Sequence, residues 1–291
     1  MDSPKRKWGD RKDGVLLRHL DPMHFIVPLL YPNRCDNEAY ISERIDLGPI
    51  NAYLAFKNAQ PSDFPYTMFH IIVAAIVKTI TLRPKMNRFI VNKNIYQRNG
   101  VSASFVVKKL LSDSGEEALA VLRCEPGDTL GSLHDKIHQQ VSSCRGQQMD
   151  GSTESMDMFN KMPRSLSKLI VWTITRLDVH GWVPESLIET DPYYTSCVLS
   201  NLGSIKLKSG YHHLTNWGTC SLFCIVGEKK KTPQFFDDGH FEIHETLDLG
   251  LTIDERLADG YYYSKTVKLL KYLLAHPAEL EKPLAEAVDF E

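Results

Sequence analysis

The sequence predicts a single α+β domain, in which a mixed β-sheet is covered by helices. Helix-like and strand-like patterns are interspersed in the first half of the chain, and long strand patterns dominate the second half before a final helix. The 291 residues are 43% hydrophobic, which is enough for a well-buried core. We assign residues 1–39 to an N-terminal leader and extension, and residues 40–291 to one domain.

The clearest helix in the first half lies at residues 67–84. Its apolar residues almost encircle the helix, so it should be largely buried, with Thr67 as its N-cap. His70 lies within it, and we interpret this side chain as a core histidine rather than a ligand. A half-buried strand at 40–47 and an amphipathic helix at 48–60 are predicted before it.

Asn99-Gly100 is the strongest short hairpin signal in the chain. It predicts a strand on each side of the turn, within residues 89–109. The other predicted elements are a strand at 118–125, helices at 129–144 and 165–181, strands within 196–204, 220–236 and 241–260, and a helix from 261 to 276.

Two histidines and six cysteines are candidate metal ligands by residue type. His134 and His138 are four residues apart on a predicted helix, a spacing that could clamp a metal, but no third ligand is near and a solvated face is the preferred interpretation. The cysteines form no CxxC pair or other zinc pattern, so we expect reduced thiols and no metal.

The charge balance argues against two classes of function. The formal net charge is −2, without the basic excess typical of nucleic-acid or membrane-surface binding. The N-terminus is charged and lacks the apolar core of a signal peptide, and no apolar run reaches the ~20 residues that span a bilayer. We therefore expect a cytoplasmic protein without nucleic-acid or membrane partners.

Two motifs carry the functional prediction. Ser200-Asn201-Leu202-Gly203 ends an apolar strand, and Asp254-Glu255-Arg256-Leu257-Ala258-Asp259-Gly260 runs directly into the last helix. Their order and spacing resemble the catalytic domain shared by chloramphenicol acetyltransferase and the dihydrolipoyl acyltransferases of 2-oxo acid dehydrogenase complexes. The resemblance covers residues 40–285. We expect neither the lipoyl nor the subunit-binding domain of the latter enzymes in this chain.

The resemblance implies a two-layer α/β sandwich that forms homotrimers, with each active site between two subunits. It implies coenzyme A or acyl-coenzyme A as a substrate and a small molecule as acyl acceptor. Ser200 would donate a hydrogen bond to the oxyanion, and Asp259 would hold local structure through an arginine, for which Arg34 and Arg18 are candidates. The candidates for binding coenzyme A are Asn201, Gly203, Lys229 and Lys230, although a solvated hairpin turn is the simpler interpretation of the lysines.

The histidine base of that family is replaced here by Glu255. An ordinary glutamate has a pKa of ~4.3 against ~8.5 for a thiol, so the proton transfer is uphill by roughly 5–6 kcal/mol, whereas a histidine at ~6.5 faces about half of that. Burial could close the gap, and pairing with Arg256 would oppose it. The histidines that could replace the base are His240, His244, His212 and His213.

Three functions remain open from the sequence. The first is a coenzyme A-dependent acyltransferase that uses Ser200 and either Glu255 or a replacement histidine. The second is a catalytically inactive trimer that retains the fold and the coenzyme A pocket for binding or assembly. The third retains the pocket but changes the reaction, for example to hydrolysis with Glu255 activating water.

Overall fold

The computed structural model describes residues 6–108, 117–145 and 160–290. Within these residues the strands form one seven-stranded sheet and one three-stranded sheet. The strands are β1 Gly14–Leu16, β2 Glu38–Asp46, β3 Arg88–Val91, β4 Asn94–Arg98, β5 Val101–Lys108, β6 Glu117–Cys124, β7 Cys197–Asn201, β8 Leu222–Val226, β9 Lys230–Phe235 and β10 Phe241–Asp254. The α-helices are α1 Pro22–Leu30, α2 Gly48–Lys57, α3 Met68–Leu82, α4 Leu130–Arg145, α5 Arg164–Val179, α6 Glu185–Thr190 and α7 Gly260–Ala275.

The large sheet is mixed, as the sequence predicted. Its order is β2-β10-β8-β7-β5-β6, and β9 pairs with the first half of the long strand β10. Strand β7 runs parallel to both of its neighbours, β5 and β8, whereas the other pairs are antiparallel. The end of β10, which leads into the motif at 254–260, therefore lies beside the beginning of β8. The end of β7, which carries the motif at 200–203, lies beside the end of β8. The two motifs are thus at opposite ends of the sheet.

Helices cover one face of this sheet. Helix α3 packs against α2, α4, α7 and β5, and its residues from His70 to Ile80 are buried. Thr67 is its N-cap, and the His70 Nδ1 accepts a hydrogen bond from the Thr67 backbone N at 2.9 Å. Both predictions for this helix are thus confirmed. The two-layer α+β fold follows from burial of the alternating apolar side chains of the sheet against these helices.

The hairpin prediction at Asn99-Gly100 is wrong. Strands do flank the dipeptide, but β4 belongs to the small sheet and β5 to the large one, so the chain passes between sheets there. The hairpin turn is Asn92-Lys93, between β3 and β4, where φ is 48° and 63°. Two positive φ values suit the twist of a two-residue hairpin, and Asn tolerates them better than most residues.

The N-terminal segment is packed against the rest of the chain from residue 11 onward. Strand β1 pairs with β4, and the buried side chain of Arg11 bonds Asp13 and Asp178. Asp178 lies near the end of α5, and the chain leaves that helix at Gly181, where φ is +69°. The predicted helix end at this glycine is confirmed, since a left-handed residue is a common way to terminate a helix.

His134 is buried, whereas the sequence predicted that it lies on a solvated helix face. The residue is 8% exposed, its ring stacks on Tyr66 with 4.0 Å between ring centroids, and its Nε2 is 2.8 Å from the Phe64 carbonyl oxygen. His138 is exposed, as predicted, and stacks on Phe64. All six cysteines are free thiols, and none of the described helices is long and apolar enough to cross a membrane.

Candidate functional site at the two ends of the sheet

A buried ion pair anchors the second motif. Asp254, the last residue of β10, is fully buried, and the Arg256 Nε and Nη2 bond its two carboxylate oxygens at 2.8 and 2.7 Å. The Arg256 Nη1 also donates to the Tyr31 carbonyl oxygen at 2.7 Å, which ties the turn at 255–257 to the end of α1. Arg256 therefore pairs with Asp254 and not with Glu255, and no other described cation forms an ion pair with the Glu255 carboxylate.

Asp259 caps the last helix. Its carboxylate accepts from the Tyr262 backbone N at 2.8 Å, and this hydrogen bond holds the pKa of Asp259 below its usual value. Neither candidate arginine pairs with it, because Arg18 bonds Asp10 and the Arg34 Nε lies 3.9 Å from Asp254. In this chain the buried arginines thus hold the first aspartate of the motif rather than the last.

Glu255 lies in an open groove of about 350 Å³, hereafter the Glu255 groove. The groove runs between α1, the start of β2 and the first turn of α7, and Asp259 and Tyr263 line it beside Glu255. His24 of α1 also lines the groove, and no motif in the sequence indicates a functional role for this residue. The only sequence signal for His24 was the spacing Asp21-x-x-His24, which is common at helix starts.

Ser200 lies near the end of β7, on the face of the sheet away from the helices. Leu199 belongs to the helix-side core, whereas Val198 packs in a separate cluster with Phe223 and Ile225 on the opposite face. Because side chains alternate along a strand, Ser200 shares the face of Val198. It is partly exposed, and its hydroxyl makes no hydrogen bond to any described residue. That hydroxyl is free to donate to a ligand.

The residues after Ser200 have structural roles. The Asn201 side chain accepts from the Ser204 backbone N at 3.2 Å and so caps the short turn at 202–205. A Cβ on Gly203 would lie 2.4 Å from the Gly227 carbonyl oxygen, so only glycine lets this turn pack on the end of β8. Gly203 thus allows the turn that follows Ser200 to pack closely on the chain after β8.

The two candidate lysines already have acidic partners. Lys230 pairs with Asp248, which Arg44 also bonds, and the Lys229 Nζ lies 3.8 Å from Glu245. These pairs are at the exposed start of β9, where each contributes little to stability. The lysines are therefore engaged in the β9–β10 hairpin rather than presented to a pocket.

Ser200 and Glu255 are far apart within one chain. Ser200 pairs with Ile225 of β8, and Ile225 pairs with Gly250 of β10, five residues before Glu255. With ~3.3 Å per residue along a strand and ~4.8 Å between strands, the separation is roughly 20 Å. The two residues lie at opposite ends of the sheet, so within a single protomer their side chains cannot act on the same reacting group.

The four replacement histidines of the sequence analysis are also distant from Glu255 or already bonded. Both ring nitrogens of His244 face carboxylates, Asp46 at 2.5 Å and Glu242 at 3.2 Å, and these hydrogen bonds raise its pKa. His240 bonds Asp238 in the same exposed hairpin. His212 and His213 each contact the next carbonyl oxygen along the loop, and His212 stacks on Phe223.

The mixed sheet and its helix layer have the fold of solved acyltransferase structures. The chain is similar to dihydrolipoamide acetyltransferase of Azotobacter vinelandii, with TM-score 0.59, 15% identity, and coverage of 91% of this chain and 94% of that one. It is similar to a probable dihydrolipoamide acetyltransferase of Listeria monocytogenes 4b F2365, with TM-score 0.57, 13% identity, and coverage of 94% and 98%. A chloramphenicol acetyltransferase matches with TM-score 0.51, 11% identity, and coverage of 88% and 96%.

The chain therefore has the fold shared by chloramphenicol acetyltransferase and the catalytic cores of 2-oxo acid dehydrogenase acyltransferases, as the motifs predicted. No family model matches the sequence. No curated protein matches it either.

Proposed function

We propose that the protein is a coenzyme A-dependent acyltransferase whose active site forms between two subunits of a homotrimer. The observation that carries this proposal is the placement of Ser200 and Glu255 at opposite ends of one sheet, each with a functional group that bonds no side chain among the described residues. The Glu255 groove of one subunit would face Ser200 of the next. The likeness in fold to acyltransferases over almost the full chain supports the same arrangement.

Exposed apolar side chains support such an assembly. On the β9–β10 hairpin, at the Ser200 end of the sheet, Phe235, Phe241 and Ile243 are 71%, 57% and 56% exposed. On α1, at the Glu255 end, Met23 and Phe25 are 67% and 62% exposed. Contiguous exposed apolar groups mark protein interfaces. Head-to-tail contact between these two surfaces would generate a closed ring and join the two halves of the site.

The chemistry of the two halves suits acyl transfer. When an acceptor attacks the thioester carbonyl carbon of acyl-coenzyme A, negative charge develops on the carbonyl oxygen. A free serine hydroxyl can donate a hydrogen bond to it, and loss of one such donor typically lowers kcat by ~10²–10³-fold. The carboxylate-lined groove would then hold the acceptor and the group that removes its proton.

Acetyl transfer from acetyl-coenzyme A to a panel of thiols, alcohols and amines tests the proposal, with release of free coenzyme A as the signal. We expect turnover with at least one acceptor and its loss in Ser200→Ala. Lys271→Met, which alters an exposed pair with Glu43, is the matched control and should retain activity. A native trimer without turnover but with calorimetric binding of coenzyme A would instead identify a non-catalytic binding protein.

Subunit complementation tests the shared site directly. Ser200→Ala chains and Glu255→Gln chains are refolded together, so that sites combining the intact Ser200 of one chain with the intact Glu255 of another can form. Random mixing in a trimer should restore about a quarter of the wild-type activity. Two inactive variants that stay inactive when mixed would show that the residues do not meet across subunits.

A further inference from the structure

His24 is held in a fixed orientation at the start of α1. Asp21 is the N-cap of this helix, and its Oδ1 accepts from the backbone N of Met23 and of His24, both at 3.1 Å. Its Oδ2 lies 2.6 Å from the His24 Nδ1. The backbone N–H of His24, together with the imidazole, holds the pKa of Asp21 below its usual value. An ionised carboxylate on Nδ1 selects the tautomer with a proton on Nδ1 and leaves Nε2 as an acceptor.

The imidazole of His24 forms part of the wall of the Glu255 groove. Its side chain is only 13% exposed, although α1 lies on the surface. Helix α1 packs on the turn at 255–257, and Arg256 fastens that turn to the Tyr31 carbonyl oxygen. The Nε2 of His24 makes no hydrogen bond to the described residues. The groove thus brings together a carboxylate at the motif position and an oriented imidazole with a free nitrogen.

We propose that His24, positioned by Asp21, is the general base of this site. It takes the role of the histidine that the similar acyltransferase family has at the position of Glu255. The inference rests on the proposed acyltransferase function. Nε2 accepts the proton of a thiol, hydroxyl or amine acceptor as the acceptor atom bonds to the thioester carbonyl carbon. The electron pair of the C=O bond moves to oxygen and is stabilised by Ser200 of the neighbouring subunit. The C–S bond then breaks, and the proton passes from Nε2 to the departing sulfur of coenzyme A.

Proton affinity favours the imidazole over the carboxylate for this step. An ordinary histidine is about 2 pKa units below a thiol, whereas an ordinary glutamate is about 4 units below it. Besides His24, the charged groups that line the groove are Glu255, Asp259 and Arg256, and the last is committed to Asp254. The groove therefore places two carboxylates, those of Glu255 and Asp259, along the same walls as the imidazole. Glu255 then acts on the base and the acceptor by its charge.

Kinetics of three variants test the role of His24. His24→Gln should lower kcat by ~10²–10⁴-fold and remove the acid limb of the kcat–pH profile, because the titrating base is gone. Asp21→Asn keeps an N-cap but removes the carboxylate, and should lower kcat with little change in KM. His276→Gln is the matched control at the far end of α7 and should behave as wild type. A His24→Gln variant with wild-type kcat and pH profile would overturn the proposal, whatever its stability.

Chemical labelling of the histidines tests the place of His24 in the site without a turnover assay. Diethyl pyrocarbonate acylates neutral imidazole nitrogens, and mass spectrometry gives the rate at each histidine. We expect His24 to react in the free protein and to be protected by saturating coenzyme A, whereas His276 reacts equally in both conditions. A His24 that does not react, or reacts at an unchanged rate with coenzyme A bound, contradicts the inference. Absence of turnover in the wild type, with His24 protected, would refute the transferase function but leave His24 in the coenzyme A site.

Discussion

Substitution of Asp254 by Asn should reveal how strongly the second motif is anchored. The carboxylate is fully buried, accepts two short hydrogen bonds from Arg256, and has the Arg34 Nε 3.9 Å away. Arg34 is itself buried, and its Nε has no hydrogen-bond partner within the described part of the chain. Removal of the one negative charge leaves two buried guanidinium groups facing each other without compensation.

The expected cost is about 3–5 kcal/mol of unfolding free energy, the range measured when one partner of a buried ion pair is removed. Urea unfolding of Asp254→Asn and wild type at one protein concentration measures it, because oligomerisation makes apparent stability concentration-dependent. Lys271→Met, whose lysine is half-exposed in a pair with Glu43, is the control and should cost less than about 1 kcal/mol. A loss for Asp254→Asn no greater than that of the control would refute the argument that burial makes this pair essential.

Three further results are expected. Gly203→Ala should lower stability by about 1–3 kcal/mol, since its Cβ would meet the Gly227 carbonyl oxygen. Gly100→Ala, which has open space around its Cβ, should leave stability unchanged. The urea unfolding midpoints of the two variants test this difference. Burial lowers the pKa of His70 to about 4, so the unfolded chain takes up a proton first as pH falls. Stability should therefore decline between about pH 6.5 and 4, by up to roughly 3 kcal/mol, and His70→Gln should flatten that decline in urea titrations at several pH values. Asp259→Asn should keep the melting temperature, because an asparagine side chain can still cap the helix. Asp259→Ala should lower the melting temperature, because alanine cannot accept the hydrogen bond from the Tyr262 backbone N.

Features that depend on a few neighbouring residues could be predicted from the sequence. Thr67 caps α3 and Gly181 ends α5, since a cap acts on backbone groups within one turn. The burial of α3 followed from its all-round apolar surface. The order of the two motifs likewise predicted the fold that the similar structures share.

Features that depend on distant residues needed the folded chain. Asn99-Gly100 has the local chemistry of a hairpin, yet its flanking strands find partners elsewhere, and Asn92-Lys93 makes the turn. The candidate site depends on the folded chain more than any other feature. Strand direction alone places Ser200 and Glu255 at opposite ends of the sheet.

Packing of α1 on the turn at 255–257 brings His24 into the groove, although more than 200 residues separate them. Local patterns specify helices and their ends because those hydrogen bonds close within a few residues. Strand partners, buried ion pairs and active-site neighbours are chosen by contacts across the whole chain, and these exist only once the core has formed.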